Sequence, residues 1–314
     1  MAISSQDVFE LPEPSNVEPG AVTEEYGTTE ALSRGHLILR RFLRRKSGVA
    51  AVVVLVLIFL LAYLGPYLSH WKYNDFDQAS ILQGPSGKHY FGVDQLGRDV
   101  FARTLHGLQK SLIIGLVAAV ITTGIAAIAG SIAGYFGRYI DASLVWLIDL
   151  LLTLPIFLIL AILSPVLAGR TWLWLVLLLS VFSWMITGRV VRGMTLSLKE
   201  REYVQAARFM GVKPFTIVRR HILPNMASLL IVDATINVGA TILAETSLSF
   251  FGFGVQAPDV SLGTVLGDSQ DLATTFPHVF LFSGALLVAL VLSVSVIGDA
   301  LRDAIDPSSG SSKL

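Results

Sequence analysis

The sequence predicts an all-α membrane protein of about six transmembrane helices, with both termini on the same side. Three observations predict it. Hydrophobic residues make up 53% of the 314-residue chain and charged residues only 15%. The mean hydropathy of +0.67 lies far from that of a globular domain, so lipid must solvate most of the chain. Six apolar runs are also long enough, at 1.5 Å per helical residue, to cross a hydrocarbon layer of about 30 Å. The formal net charge of zero conceals two basic clusters. There is no cysteine, which excludes a disulfide framework and thiolate metal sites.

Residues 1–30 are polar and acidic and carry Pro12, Pro14 and Pro19, a composition that cannot bury enough apolar surface to order itself. They are expected to form a disordered tail, and the first apolar run is too long for the core of a cleavable signal peptide. In residues 31–46, Arg34, Arg40, Arg41, Arg44, Arg45 and Lys46 alternate with Leu32, Leu37, Ile38, Leu39, Phe42 and Leu43. This segment is either an amphipathic helix at the lipid headgroups or a basic flank that fixes topology.

The first span is expected within residues 47–68, running from Gly48 to Leu68 without a charge. The others are expected at Ser111 to Tyr135, Ile140 to Leu163, Trp172 to Val191, Ala227 to Leu248 and Phe276 to Ile297. Tyr67, Trp71, Trp172 and Trp174 sit where amphipathic rings favour the interface. Residues 69–108 are expected to form an extracytoplasmic loop, 109–305 the helical core, and 306–314 a short tail. The segment up to Lys46 holds six basic residues and Arg192 to Arg220 holds seven, whereas Ser249 to Thr275 holds none. The basic segments are therefore assigned to the cytoplasm. The mixed loop from Ser69 to Lys110, with five basic residues, runs against that bias.

Residues 199–225, KEREYVQAARFMGVKPFTIVRRHILPN, are far longer than a link between two membrane helices requires. Lys199 to Met210 is rich in helix formers, and Gly211 suits the left-handed conformation that ends a helix. Pro214 sits at a tolerated first helical position. Pro224 is expected to stop the second helix. The product would be a helix, a turn and a short helix suited to a groove on a cytoplasmic partner.

Gln205, Ala206 and Ala207, followed by Gly211, Leu223 and Pro224, resemble the EAA loop of binding-protein-dependent ABC importer permeases. Gln205 stands in place of the family's glutamate, with Glu202 nearly one turn earlier, and His221 stands where an apolar residue is common. His89 to Phe101, HYFGVDQLGRDVF, resembles a stretch of the dipeptide, oligopeptide and nickel permeases. Gly298 to Pro307 is similar to their C-terminal ending, and Ser247 to Gln256 is similar to an outer loop of the shorter of their two permease subunits. The similarity runs from about Arg41 to Pro307.

That resemblance implies the permease fold of type I importers and ATP-driven import of dipeptides, oligopeptides or a related solute across a bacterial cytoplasmic membrane. It implies a second homologous permease, two ATPase subunits or domains that bind ATP and magnesium, and an extracytoplasmic solute-binding protein. It implies no cofactor, metal, nucleic-acid or catalytic site in this chain. Glu202, Tyr203, Gln205, Ala206, Ala207, Gly211, Pro214, Leu223 and Pro224 would form the ATPase-coupling loop. The loop would move as a rigid body and tilt the attached helices, giving alternating access. Outer loops around Phe91 to Arg103 and Phe250 to Asp259 would face the binding protein.

Within the spans, Asp149, Asp233 and Glu245 are costly ionisable residues, and Asn237 lies one turn from Asp233. They either line a polar path or hydrogen-bond neighbouring helices. Gly130 and Gly134 form a small-xxx-small pair of the kind that marks helix contact. Gln83 to His89 resembles a phosphate-binding loop only loosely, since Leu82 replaces the first glycine and His89 the hydroxyl. HExxH and GxSxG signatures are absent, which argues against the common hydrolases. The alternative reading is a secondary transporter or channel, whose cue would be paired discontinuous helices in the two halves; the sequence shows no such repeat.

Overall fold

A computed structural model describes residues 34–164 and 172–305. The expected tails, 1–30 and 306–314, and the Asp306-Pro307 end of the C-terminal motif lie outside the described residues. Among the described residues all regular structure is helical, apart from two isolated bridges at Phe76 with Arg98 and Val93 with Asp99.

Two helices open the described residues, α1 (Arg34–Arg44) and α2 (Lys46–Leu64). Ile38 and Phe42, one turn apart on α1, are half-buried while Leu39 and Leu43 stay exposed. This two-sidedness is that of an amphipathic segment. An ion pair from Arg45 to Asp303 fastens the junction to the end of the chain.

The central element is α3 (Val100–Phe136). Its 37 residues make it about 55 Å long, well beyond the expected span of Ser111 to Tyr135. It starts at Asp99, whose carboxylate accepts from the Ala102 amide at 2.7 Å, an N-cap that the loop assignment of 69–108 overlooked. It ends at Gly137, with φ +64°.

The third and fourth expected spans are broken. Helices α4 (Arg138–Thr153) and α5 (Ile156–Leu163) meet at 81°. Proline disfavours helical backbone in the residue before it, and Leu154 before Pro155 is accordingly extended (φ −84°, ψ 139°). Helices α6 (Leu173–Ser183) and α7 (Met185–Leu198) meet at 46°. The junction turns Trp184 and Met185 into a buried cluster with Ala126 and Ile148. Among the described residues, four helices are thus long and apolar enough to cross a membrane, or up to six if each bent pair is one span.

After α8 (Glu202–Phe209), Gly211 turns the chain at φ +76°, and α9 (Pro214–Ile217) leads through a π segment, Val218–Ile222, into α10 (Leu223–Phe250). Pro224 therefore does not end a helix, contrary to expectation. The Leu223 amide reaches back five residues to the Val218 carbonyl. This wider turn places Pro224 in the first turn of α10, where its missing N–H costs little. The chain closes with α11 (Leu262–Ser269) and α12 (Pro277–Ile305).

Helices α2, α6, α7, α10 and α11 pack around α3. Its contact with α7 brings the two backbones close together. A Cβ on Gly130 would lie 2.5 Å from the Gly188 carbonyl oxygen, and one on Gly134 2.7 Å from Thr195 Cβ. The Gly130/Gly134 pair is thus a helix-contact device. Gly130→Val should destabilise the protein by about 1–3 kcal/mol through forced separation of α3 and α7. Thermal melting in detergent would measure it, and an unchanged midpoint would refute the tight contact.

Candidate functional site

The residues expected to carry coupling lie together on one projection. Val204 and Ala207 of α8 are buried with Val191, Ile217, Val218, Ile222 and Met226, so α8 is clamped to α7 and to the start of the long helix. Ala206, by contrast, is exposed, as are Glu202 and Tyr203. The two alanines therefore differ: the small size of Ala207 serves packing within this chain, and that of Ala206 leaves the outer surface flat. Gln205 donates to the Glu200 carboxylate at 3.0 Å and is half-buried. Leu223 packs beneath this cluster, Pro224 is exposed and Pro214 opens the return helix.

Three residues of this projection went unnoticed in the sequence. Phe209 is 86% exposed, Met210 76% and Phe215 65%. With Tyr203, 42% exposed, they are large apolar side chains uncovered in the segment that the Gly211 turn divides, and no Cβ-sized obstacle lies near Gly211 itself. The signal was available: large apolar residues in a segment otherwise rich in charge.

The in-span polar residues separate into two kinds. Asp233 accepts from Thr123 Oγ1 on α3 at 3.0 Å, Thr187 Oγ1 on α7 at 2.8 Å and Asn237 Nδ2 on its own helix at 2.8 Å. Glu245 is fully buried and accepts from Ser111 at 3.1 Å and Ser249 at 2.6 Å. Ser111 also accepts from the Leu262 amide at the head of α11. Both carboxylates therefore join helices, with their oxygens occupied. Asp149 is different. It pairs with Arg189 on α7, and the two side chains are 55% and 46% exposed. Arg189, inside the expected fourth span, was passed over. A second, less exposed pair joins Arg192 to Asp141, with Nη2 to Oδ2 at 2.6 Å.

At the opposite end of α3 from α8, the motif His89 to Phe101 folds around its charges. His89 is buried, with Nδ1 2.7 Å from Asp99 and its ring stacked on Trp71. Arg98 and Arg103 both reach the carboxylates of Asp94 and Asp268. Arg98, Arg103, Phe250, Gln256, Asp259 and Asp268 help line a cleft of about 640 Å³. The two segments assigned to outer loops thus meet at one depression. A hydrogen bond from Lys88, at 2.7 Å, is the main cause that holds the Asp77 carboxyl down at about 2.

Residues 126–310 match the family described as binding-protein-dependent transport system inner membrane component. The chain belongs to this family. Residues 33–85 match the N-terminal transmembrane domain of oligopeptide transport permease C. The permease is 51% identical to the oligopeptide transport system permease protein OppC of Mycobacterium tuberculosis, over 90% of this chain and 98% of that one. It is 34% identical to the dipeptide transport system permease protein DppC of Alkalihalophilus pseudofirmus, over 94% and 95% of the respective chains. Its fold matches a chain of the MetNI methionine ABC transporter, solved in inward-facing conformations, with TM-score 0.52 and 21% identity over 65% of this permease and 96% of that chain. The MetI-like permease fold is thereby established.

Two outcomes follow. Asp233→Leu strands the donors on α3, α7 and α10 and should cost about 1–3 kcal/mol, with Asp233→Asn less damaging; equal melting of both variants would remove the bridge from the account. The depressed Asp77 value means that its contribution to stability is full above its ordinary 3.8 and is lost as pH falls towards about 2. Trp71, with Lys88 over its ring at 5.0 Å, should report that loss by fluorescence, and Asp77→Asn should abolish the change.

Proposed function

We propose that this chain is one of two permeases in an ATP-driven importer of peptides, with the projection around α8 seated in a groove on a cytoplasmic ATPase. The observation that carries this reading is the apolar rim of Tyr203, Phe209, Met210 and Phe215 at the motif resembling the EAA loop. Four large apolar side chains facing water around a structured turn are expensive to expose, and they fit an interface core. The peptide cargo is proposed from the names of the relatives. The second permease is proposed from the same family relationship, and the solute-binding protein would dock over the cleft at the far end of α3.

In this reading both termini and α8 face the cytoplasm, as the basic residue counts support, and the His89 to Phe101 motif faces outward. Coupling would run through α7 and α10. The cluster that clamps α8 joins these two helices, so a displacement of α8 on ATP-driven closure is transmitted as a rigid-body tilt. Glu202 and Gln205 would provide polar contacts at the rim, and Ala206 and Gly211 would allow close approach. ATP and magnesium would be held by the partner, and no covalent chemistry is assigned to this chain.

Phe209→Glu tests the assignment, since the residue is 86% exposed and the fold should survive. Loss of a buried anchor should weaken binding of the ATPase by about 2 kcal/mol or more, on the order of thirtyfold in affinity, and peptide uptake should fall with it. Co-purification from membranes together with a melting curve measures both. A variant that retains ATPase and full uptake would end the coupling proposal.

A further inference from the structure

Asp149 and Arg189 lie near the middle of their helix pairs, Arg138–Leu163 and Leu173–Leu198, each of which passes as a membrane crossing when counted together. An ion pair there cannot face hydrocarbon at its observed exposure. Charged side chains at bilayer depth turn to protein or to a water-filled cavity, because lipid offers nothing to solvate them. Neither residue is turned inward. The buried side of α7 is formed by Thr187, Gly188, Val191 and Thr195, against α3 and α10, and Ile148 is the single buried residue of α4. The pair therefore occupies the outward edge between α4 and α7.

The other in-span carboxylates have their oxygens occupied. Asp233 and Glu245 accept from neighbouring side chains, and three and two hydrogen bonds respectively account for them. Among the described residues, Asp149 and Arg189 have only each other, with about half of each side chain uncovered. A guanidinium offers a fork of donors and a carboxylate offers acceptors. An ionised peptide carries the complementary groups, a carboxylate and an ammonium, at its two ends.

We propose that Asp149 and Arg189 line the water-filled path of the importer and form a paired-charge site for the termini of a zwitterionic peptide, Arg189 taking the carboxylate and Asp149 the ammonium. This rests on the reading of the chain as a peptide importer permease. Each partner exchanges its internal contact for one with cargo, so one ion pair is replaced by two of similar kind. Binding is then favourable enough to admit the peptide and weak enough to release it. Asp141 and Arg192, one step along the same seam and better covered, keep α4 against α7 while the upper pair opens.

The test uses the complete transporter in membrane vesicles. The chain lacks cysteine, so Ile186→Cys, one helical turn from Arg189 on the same face and exposed, introduces a unique thiol in this subunit. It should react with a water-soluble, membrane-impermeant thiol reagent and be protected by short alanine peptides with free termini. Absence of reaction would overturn the proposal. In uptake assays Arg189→Gln should raise KM about tenfold for free peptides, with little change for their C-terminal amides. Asp149→Asn should do the same with N-acetylated peptides as the insensitive class. The double exchange of Asp149→Arg with Arg189→Asp keeps an ion pair and serves as the second variant. If it and both single variants transport all three peptide classes as the parent does, the pair is not a cargo site. Wild-type vesicles that fail to import any peptide would instead overturn the importer reading on which the site depends.

Discussion

The close approach of α3 and α7 is the contact on which the other features depend. Lipid tails give apolar helix faces no reason to separate from solvent, so association within a bilayer relies on packing and hydrogen bonds. Gly130 and Gly134 provide the packing by admitting the backbone of α7 against α3. That proximity brings Thr123 and Thr187 within reach of the same carboxylate, Asp233, and locks α10 into the arrangement. It also fixes the rotation of α7. With Gly188 and Thr195 against α3, Arg189 lies off that contact, beside Asp149, whereas Arg192, one turn from Gly188, reaches Asp141 from the margin of the contact. One backbone contact therefore determines which polar groups are sealed and which are presented.

Hydropathy made four of the spans legible because each is an uninterrupted apolar helix, and Asp233 with Asn237 was legible as a one-turn pair on one face. The fourth span also held Arg189, close to its expected end at Val191, where a charge reads as a flank. Only the fold reveals it beside Asp149. The breaks were less visible for a different reason. Pro155 and Pro224 carry the same local restriction, yet the first divides α4 from α5 and the second sits inside a continuous rod. What distinguishes them is the backbone upstream: a π turn rescues the hydrogen bonding before Pro224, whereas Leu154 is extended. A sequence window contains no signal for that choice, which is made by packing of Ile217, Val218 and Ile222 under α8.

The two broken pairs are also the kind of feature associated with secondary transporters, in which discontinuous helices occupy corresponding places in two repeats. Here the breaks are consecutive, at Leu154-Pro155 and at Trp184, and both flank the same cluster of Ala126, Ile148, Trp184 and Met185. They form one local bend in the bundle rather than a repeated device. This placement, together with membership of the binding-protein-dependent transport family, assigns the breaks to the permease architecture.

Saturation of polar groups distinguishes structural from functional charge throughout the chain. Asp233 and Glu245 are costly to bury, and each is offset by donors from other helices. Their replacement consequently acts on the fold. At the far end of α3, Arg103 and Asp94 are likewise sealed by each other, but Asp268 is 45% exposed beside the cleft, where a partner could reach it. Around Gly211 the logic is inverted, since the groups left without a partner are apolar. A surface of Phe209, Met210 and Phe215 exposes apolar area that the proposed ATPase groove would cover. In the proposed reading, water or cargo reaches the half-exposed Asp149 and Arg189. On that same reading α7 links these two surfaces, Arg189 lying in its first half and Val191 and Leu198 belonging to the cluster under α8, so a helix held rigidly to α3 would convert covering of one into a change in exposure of the other.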